Sequence, residues 1–72
     1  MRNWLRDMRK KSGFTMKDMS HKLNISESYY CAIESGDRQK NMDVFLASQL
    51  AVIFKIPVSK VVACEKEMQN RL

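Results

Sequence analysis

The sequence predicts an all-α domain of five short helices, and three observations lead to this fold class. Apolar residues recur mainly at the three- and four-residue spacing of amphipathic helices. Only Gly13, Gly36 and Pro57 break these patterns, so strands would have few places to turn. The chain has no linker, repeat or low-complexity stretch, and its 72 residues are expected to form one domain, residues 1–72.

The first helix is expected over about residues 3–12. Asn3 is a candidate N-cap, and Gly13 is suited to the left-handed conformation that commonly follows a helix. The apolar positions of this helix are Trp4, Leu5 and Met8.

The second helix has a clear predicted start. Thr15 can cap it, and Asp18 three residues later gives a shortened capping box. Asn24 can end it in the left-handed conformation, which leaves a helix of only eight or nine residues. The predicted buried face consists of Met16, Met19 and Leu23.

The third helix is predicted to begin after Ser26, a good cap, and to stop at Gly36. Tyr30 and Ile33, three residues apart, are assigned to the core. Only a tight turn fits before Ser26. Two short capped helices joined by such a turn form a helix-turn-helix, here at about residues 15–36.

Two further helices are expected after a polar loop at residues 36–43, where Asp43 or Asn41 caps the next helix. The fourth helix covers about residues 44–54. Pro57 breaks it and suits the first turn of the last helix, at about residues 58–69. The positions expected to face inward are Val44, Ala47, Leu50, Ala51, Phe54, Val58, Val61 and Val62, with Leu46 and Ile53 widening the face of the fourth helix.

The charge and hydropathy of the chain narrow its possible partners. A formal net charge of +5 attracts polyanions, most often nucleic acid, although it could also serve only to keep a small domain soluble. The longest apolar run, residues 50–54, falls far short of the roughly 20 residues that span a bilayer. No apolar signal core follows Arg2 and Arg6, so a cytoplasmic location without membrane contact is expected.

The sequence offers little for catalysis or metal binding. It has a single histidine, His21, no glycine-rich phosphate loop and no paired carboxylates in a plausible pocket, so no enzymatic activity is expected. Cys31 and Cys64 lack the spacing of a zinc site, and we expect reduced thiols rather than a disulfide. No metal, cofactor or small-molecule ligand is therefore predicted.

Specific residues strengthen the helix-turn-helix interpretation. Residues 13–20 are Gly-Phe-Thr-Met-Lys-Asp-Met-Ser, residues 25–26 are Ile-Ser, and residues 30–36 are Tyr-Cys-Ala-Ile-Glu-Ser-Gly. A later pattern comprises Leu50, Ala51, Phe54, Ile56 and Pro57. In this order, these motifs resemble the phage repressor and Cro family of the XRE type, over about four fifths of the chain.

The resemblance implies a compact, lambda-repressor-like fold of five helices, with the third helix in the major groove of double-stranded DNA. It further implies a bacterial or phage transcriptional regulator of the repressor or Cro kind. Such a protein binds DNA sequence-specifically as a homodimer, because a palindromic operator mirrors the two-fold axis of the protein.

Residues at the exposed positions of the third helix are the candidates for base contacts. Glu27 can accept a hydrogen bond from a cytosine amino group, and Ala32 can touch a thymine methyl group. Ser28 can donate or accept, and Tyr29 and Cys31 lie at the flank. Two alternatives stay open: Glu27 only favours the helix dipole, and Tyr29 is a partly exposed packing residue.

The start of the second helix and the loop after the third supply the candidate phosphate contacts. Backbone amides near Met16 and Gly36 could also bind phosphate. The alternative is a solvated polar loop. Met16 stands where the family usually has a glutamine, so its side chain cannot make that hydrogen bond. The full set is Met16, Lys17, Ser35, Arg38, Gln39, Lys40 and Asn41.

Three further expectations concern structure. The resemblance implies a partly buried ion pair between Arg9 and Glu34 that joins the first and third helices. Lys55 stands where a glycine usually ends the fourth helix, so a positive φ there would be unfavourable. Ile53 and Val62 are candidates for the dimer interface, although Val62 could instead close the core of the monomer.

A second function stays open from the sequence alone. The domain could be a protein-interaction module, for example anti-repressor or antitoxin-like, that has the fold without recognising DNA. Met16, Glu27 and the wide apolar face of the fourth helix motivate this alternative. The salt dependence of binding distinguishes the two functions, because DNA binding weakens steeply with salt and an apolar protein contact does not.

Overall fold

The computed structural model describes the backbone of residues 1–70 and the side chains through residue 68, and this part of the chain is all-α. The predicted fold class is confirmed, with five helices and no strand among the described residues. The helices are α1 (Asn3–Lys11), α2 (Met16–Leu23), α3 (Glu27–Ser35), α4 (Val44–Phe54) and α5 (Val58–Asn70). The chain divides into two units, Met1–Lys40 with α1 to α3 and Asn41–Leu72 with α4 and α5.

The start of α1 differs from the prediction that Asn3 is its cap. Asn3 is the first helical residue, and Arg2 occupies the N-cap position without a side-chain capping bond. The reason is a longer-range contact: the amide of Arg2 donates to the carbonyl of Glu34 at 2.7 Å. The Arg2 carbonyl in turn accepts from the amide of Leu5 at 3.2 Å. Arg2 is therefore held by α3 through its amide, and α1 begins at the next residue.

The predicted ends of α2 and the start of α3 are confirmed. Thr15 Oγ1 accepts from the amide of Asp18 at 3.0 Å, and Asp18 Oδ2 accepts from the amide of Thr15 at 2.8 Å. The backbone hydrogen bond from Thr15 lowers the pKa of the Asp18 carboxyl below its ordinary value. Asn24 ends α2 in the left-handed conformation, and Ser26 Oγ accepts from the amide of Tyr29 at 3.0 Å. Short-range capping thus fixes both sides of the turn between α2 and α3.

The core of the first unit combines residues from all three of its helices. The fully or almost fully buried apolar residues are Leu5, Met19, Leu23, Tyr30 and Ile33. Trp4, Met8 and Met16, which were predicted on the same helix faces, are only half-buried. The core assignment of Tyr30 is confirmed, and α3 therefore packs through one side only.

In the second unit, α4 begins with Asp43, the correct one of the two candidate caps, whose Oδ1 accepts from the amide of Leu46 at 2.6 Å. The inward assignment of Val44 is wrong, since 79% of this residue is exposed. Val44 lies about 200° around the helix from the buried Leu46, and so on the opposite side. The buried apolar residues of this unit are Leu46, Ala47, Leu50, Ala51 and Val61.

The start of α5 also differs in part from the prediction. Val58 and Val62 were expected to face inward, but they are 38% and 45% exposed. Val61 is fully buried, while Val58 and Val62 lie about 60° and about 100° around the helix from it and stay partly exposed. Pro57 immediately precedes α5, and its carbonyl accepts from the amide of Lys60 at 3.0 Å.

No single helix within the described residues is long and apolar enough to cross a membrane. Residues 44–54 and 58–68 satisfy the length and composition criteria only as a pair, and this pair is bent by 116°.

Replacing Lys55 with glycine is expected to stabilise the protein. Lys55 ends α4 at φ 57° and ψ 45°, the left-handed region, which costs a side chain with a Cβ about 1 kcal/mol. Thermal and urea unfolding of Lys55→Gly measure the gain. Asn24→Gly is the matched control at the same φ and ψ, and its gain should be smaller because asparagine tolerates this region. An equal or larger gain for Asn24→Gly would contradict the interpretation.

Candidate nucleic-acid interface

One side of α3 is buried and the other carries the predicted base-contacting residues. Tyr30, Ile33 and Glu34 are buried in the first unit. Among the candidates for base contacts, Ala32 is half-buried, and the exposed residues are Glu27, Ser28 and Tyr29, with the flanking Cys31. Ser28 and Ala32 are four residues apart and so share a face, as Glu27 and Cys31 do. The first turn of α3 therefore carries exposed polar side chains.

The buried side of α3 is held by a two-point ion pair with α1. Arg9 Nε donates to Glu34 Oε2 at 2.7 Å, and Arg9 Nη2 donates to Glu34 Oε1 at 3.4 Å. Arg9 Nη1 also donates to the carbonyl of Phe14 at 3.0 Å, just before α2. The hydrogen bond that Arg9 donates to Glu34 raises the pKa of the Arg9 guanidinium above its ordinary value. This pair therefore connects α1, the entry to α2 and α3.

Tyr30 lies beside this ion pair with its hydroxyl buried. Burial, reinforced by the neighbouring Glu34 carboxylate, raises the pKa of Tyr30 well above its ordinary value. Within the described part of the chain, the buried Tyr30 Oη has no hydrogen-bond partner of good geometry. The hydroxyl therefore stays neutral, and the aromatic ring provides the packing of this residue.

The end of α3 and the segment after it contain four of the candidate phosphate contacts. Gly36 ends α3 at φ 92°, and the amide of Arg38 donates back to the carbonyl of Ala32 at 3.1 Å. The hydroxyl of Ser35 already donates to the Ala32 carbonyl at 3.0 Å, so it must leave that partner to donate to a phosphate. Ser35, Arg38 and Lys40 are exposed, and Gln39 is half-buried.

The start of α2 places two further candidates at a helix N-terminus. Lys17 is exposed and Met16 is half-buried. The first N–H groups of a helix have no partner within it, which favours an anion at this end. Asp18 already supplies a negative charge there and accepts the amide of Thr15. Lys17 therefore provides the positive charge at this helix end, and Met16 can contribute only its backbone amide.

Three predicted site residues belong to the second unit. Asn41, a candidate phosphate contact, is exposed. Of the two candidates for the dimer interface, Ile53 is half-buried on α4 and Val62 is 45% exposed on α5. Val62 therefore keeps nearly half of its surface available for a further contact.

Two features of the first unit were not predicted from the sequence. Arg2 is fully buried, and its guanidinium donates to backbone carbonyls at and beyond the end of α3. Gln39 Nε2 donates to Tyr29 Oη at 3.0 Å, which links the loop to the first turn of α3. The sequence carried no signal for either, since a polar residue near a terminus or in a loop is ordinarily solvated.

Glu34→Ala is expected to lower the free energy of unfolding by about 3–5 kcal/mol, because Arg9 would stay buried without its carboxylate. Urea denaturation measures this loss. The matched control is Glu27→Ala, which removes an exposed carboxylate from the same helix and should cost no more than about 1 kcal/mol. A change of melting temperature below about 2 °C for Glu34→Ala would contradict the role of the pair.

Comparison with known proteins identifies a protein family. The model of a protein family described as helix-turn-helix matches residues 5–61, which is most of the chain. No curated protein and no solved structure matches significantly. Within the described residues, no three His, Cys, Asp or Glu side chains are grouped so that they could hold a metal ion. The chain belongs to the helix-turn-helix family of the phage repressor and Cro (XRE) type, a family of DNA-binding regulators of transcription.

Proposed function

We propose that this protein binds double-stranded DNA sequence-specifically and acts as a small repressor-like regulator, as a homodimer on a palindromic operator. The observation that carries the proposal is the division of α3 into two sides. Tyr30, Ile33 and Glu34 hold the helix in the first unit, while the polar residues of its first turn stay exposed. An α-helix held in this way fits the major groove, where base edges differ from pair to pair.

Base recognition would come from four residues of α3. The Glu27 carboxylate is an acceptor for a cytosine amino group, and the Ser28 hydroxyl matches either a donor or an acceptor. Ala32, one turn further along, offers a methyl group to thymine. The Tyr29 hydroxyl accepts from Gln39 and can still donate to the DNA.

Phosphate contacts would position the domain on the duplex. Arg38 and Lys40 after α3 and Lys17 at the start of α2 supply the positive charges, and all three side chains are exposed. The backbone amide of Met16, the hydroxyl of Ser35 and the amides of Gln39 and Asn41 are polar groups that could complete these contacts. They fix the register of α3 in the groove and contribute little to the choice of sequence.

The homodimer is proposed to form through Ile53 and Val62. A symmetric dimer would place two copies of α3 about 34 Å apart, one turn of the duplex, so that each meets one half-site. The exposed part of Val62 supports this assignment, because an apolar side chain gains free energy when a partner covers it.

The proposal treats residues 1–72 as a single domain, since the family match extends over residues of both units. Because its target is DNA, the protein would act in the cytoplasm, and DNA binding of this kind involves no catalysis, cofactor or small-molecule ligand.

A second candidate function is a protein-interaction module, and one observation favours it. Phe45 and Val52 of α4 are 75% and 77% exposed, and their seven-residue separation places them on one side of the helix. Exposed apolar groups of this kind mark protein contacts. In this alternative the chain would use α4 for a partner protein without recognising DNA, and the salt dependence of its complexes distinguishes the two functions.

DNA binding should weaken steeply with salt, and the charges after α3 should account for part of that dependence. The double variant Arg38→Ala/Lys40→Ala is expected to reduce the slope of log affinity against log salt by about 3.6 for the bound dimer, since its two protomers together lose four phosphate contacts and each contributes about 0.9. Lys60→Ala, a lysine removed from α5, is the control and should leave the slope unchanged. The measurement uses random duplex DNA and the DNA flanking the gene of this protein. An absence of binding to both at low salt would favour the protein-interaction function.

The dimer should depend on the apolar surface of the second unit. Val62→Asp is expected to convert the dimer to a monomer in sedimentation equilibrium. It should also weaken binding to the palindromic site about 10-fold or more, because each protomer would then bind its half-site independently. Lys66→Asp, a charge change on the same helix, is the control. A Val62→Asp variant that stays dimeric would exclude this interface.

A further inference from the structure

A buried arginine joins the segment before α1 to the end of α3. Arg2 is fully buried, and its Nη1 donates to the carbonyl of Ile33 at 2.6 Å. Its backbone amide donates to the carbonyl of Glu34 at 2.7 Å. The last carbonyls of a helix have no partner within it and form its negative end. Arg2 therefore neutralises the C-terminal end of α3, the helix that carries the candidate base contacts.

The same guanidinium also holds the loop that follows α3. Its Nη1 donates to the carbonyl of Arg38 at 3.2 Å, and its Nη2 donates to the carbonyl of Gln39. Gln39 adopts φ 55°, a conformation that side chains with a Cβ rarely take. The carbonyls of Arg38 and Gln39 thus both accept hydrogen bonds from the buried Arg2 guanidinium. The side chains of Arg38 and Lys40 are exposed.

The loop is connected in turn to the first turn of α3. Gln39 Nε2 donates to Tyr29 Oη at 3.0 Å, and 37% of Tyr29 is exposed. A continuous set of hydrogen bonds therefore runs from Arg2 through Gln39 to Tyr29. We call these three residues the Arg2 network.

We propose that Arg2 is a positioning residue for DNA binding: it fixes the loop at residues 38–40 for phosphate contact and, through Gln39, sets the orientation of Tyr29. This inference rests on the proposed function. Arg2 itself is buried and touches no DNA, so its effect is indirect. The planar guanidinium, with five donors, can reach several carbonyls at once, and a lysine ammonium cannot reproduce this geometry.

The test is Arg2→Lys, which keeps the charge and removes the planar donor set. Hydrogen exchange of the Arg38 amide, which donates to the Ala32 carbonyl, reports the order of the loop without DNA. We expect this amide to exchange at least about 10-fold faster in the variant, while the amides within α2 keep their protection. Arg6→Lys, the same substitution on α1, is the matched control and should change neither the exchange of the Arg38 amide nor the protection of the α2 amides.

The second measurement is DNA affinity. Arg2→Lys is expected to lower affinity for the specific duplex about 10-fold and to reduce the salt slope by about 1 to 2, because the charges of the loop lose their fixed positions. Faster exchange at Arg38 with unchanged affinity and slope would overturn the positioning role. Unchanged exchange would show that Arg2 does not hold the loop. If the wild-type protein binds no DNA, the proposed function fails, while the exchange result still reports on the loop.

Gln39→Asn tests the link to Tyr29 without disturbing Arg2. Asparagine tolerates a positive φ and keeps the backbone carbonyl, but its side chain is one methylene shorter. We expect unchanged exchange at Arg38 and a decrease of about threefold in the ratio of specific to random-duplex affinity, because the orientation of Tyr29 affects only the specific complex. An unchanged ratio would remove Tyr29 from the proposal.

Discussion

The first unit depends on the buried ion pair between Arg9 and Glu34. One guanidinium satisfies both carboxylate oxygens and the carbonyl of Phe14, so three segments of the chain meet at one side chain. A pair of this kind is sensitive to geometry, because either charge alone would be costly to bury. It therefore sets the position of α3 with respect to α1, and the exposed side of α3 follows from that position.

The helix boundaries were largely predictable because capping is local chemistry. The caps Thr15, Ser26 and Asp43 each satisfy an amide only three residues away, so a short stretch of sequence contains both partners of each bond. The orientation of α4 was less predictable. Its sequence is apolar on almost every side, so periodicity did not distinguish the exposed Val44 from the buried Leu46. There, packing against α5 selects the buried face, and local sequence does not record it.

The candidate site also contains some features that the sequence predicts and others that it does not. The exposed first turn of α3 follows from the cap at Ser26 and the core position of Tyr30, both visible in the sequence. The pairing of Arg9 with Glu34 came from the family resemblance. The contacts of Arg2 lie 31 to 37 residues away in the chain and end on backbone carbonyls, which carry no sequence signature. Arg2 therefore looks in the sequence like any solvated charge near a terminus.

If the protein binds DNA as proposed, the charges around α3 make the order of the loop important. Lys17, Arg38 and Lys40 supply the positive charge, but Glu27 and Asp37 place negative charge on the same unit. Non-specific attraction to a polyanion scales with the phosphates neutralised, so a small number of opposed cations gives modest affinity. Directional contacts must then contribute more, and they require side chains that are held in place before DNA arrives. In the proposed complex, buried groups behind the exposed face would therefore influence recognition without touching the DNA themselves.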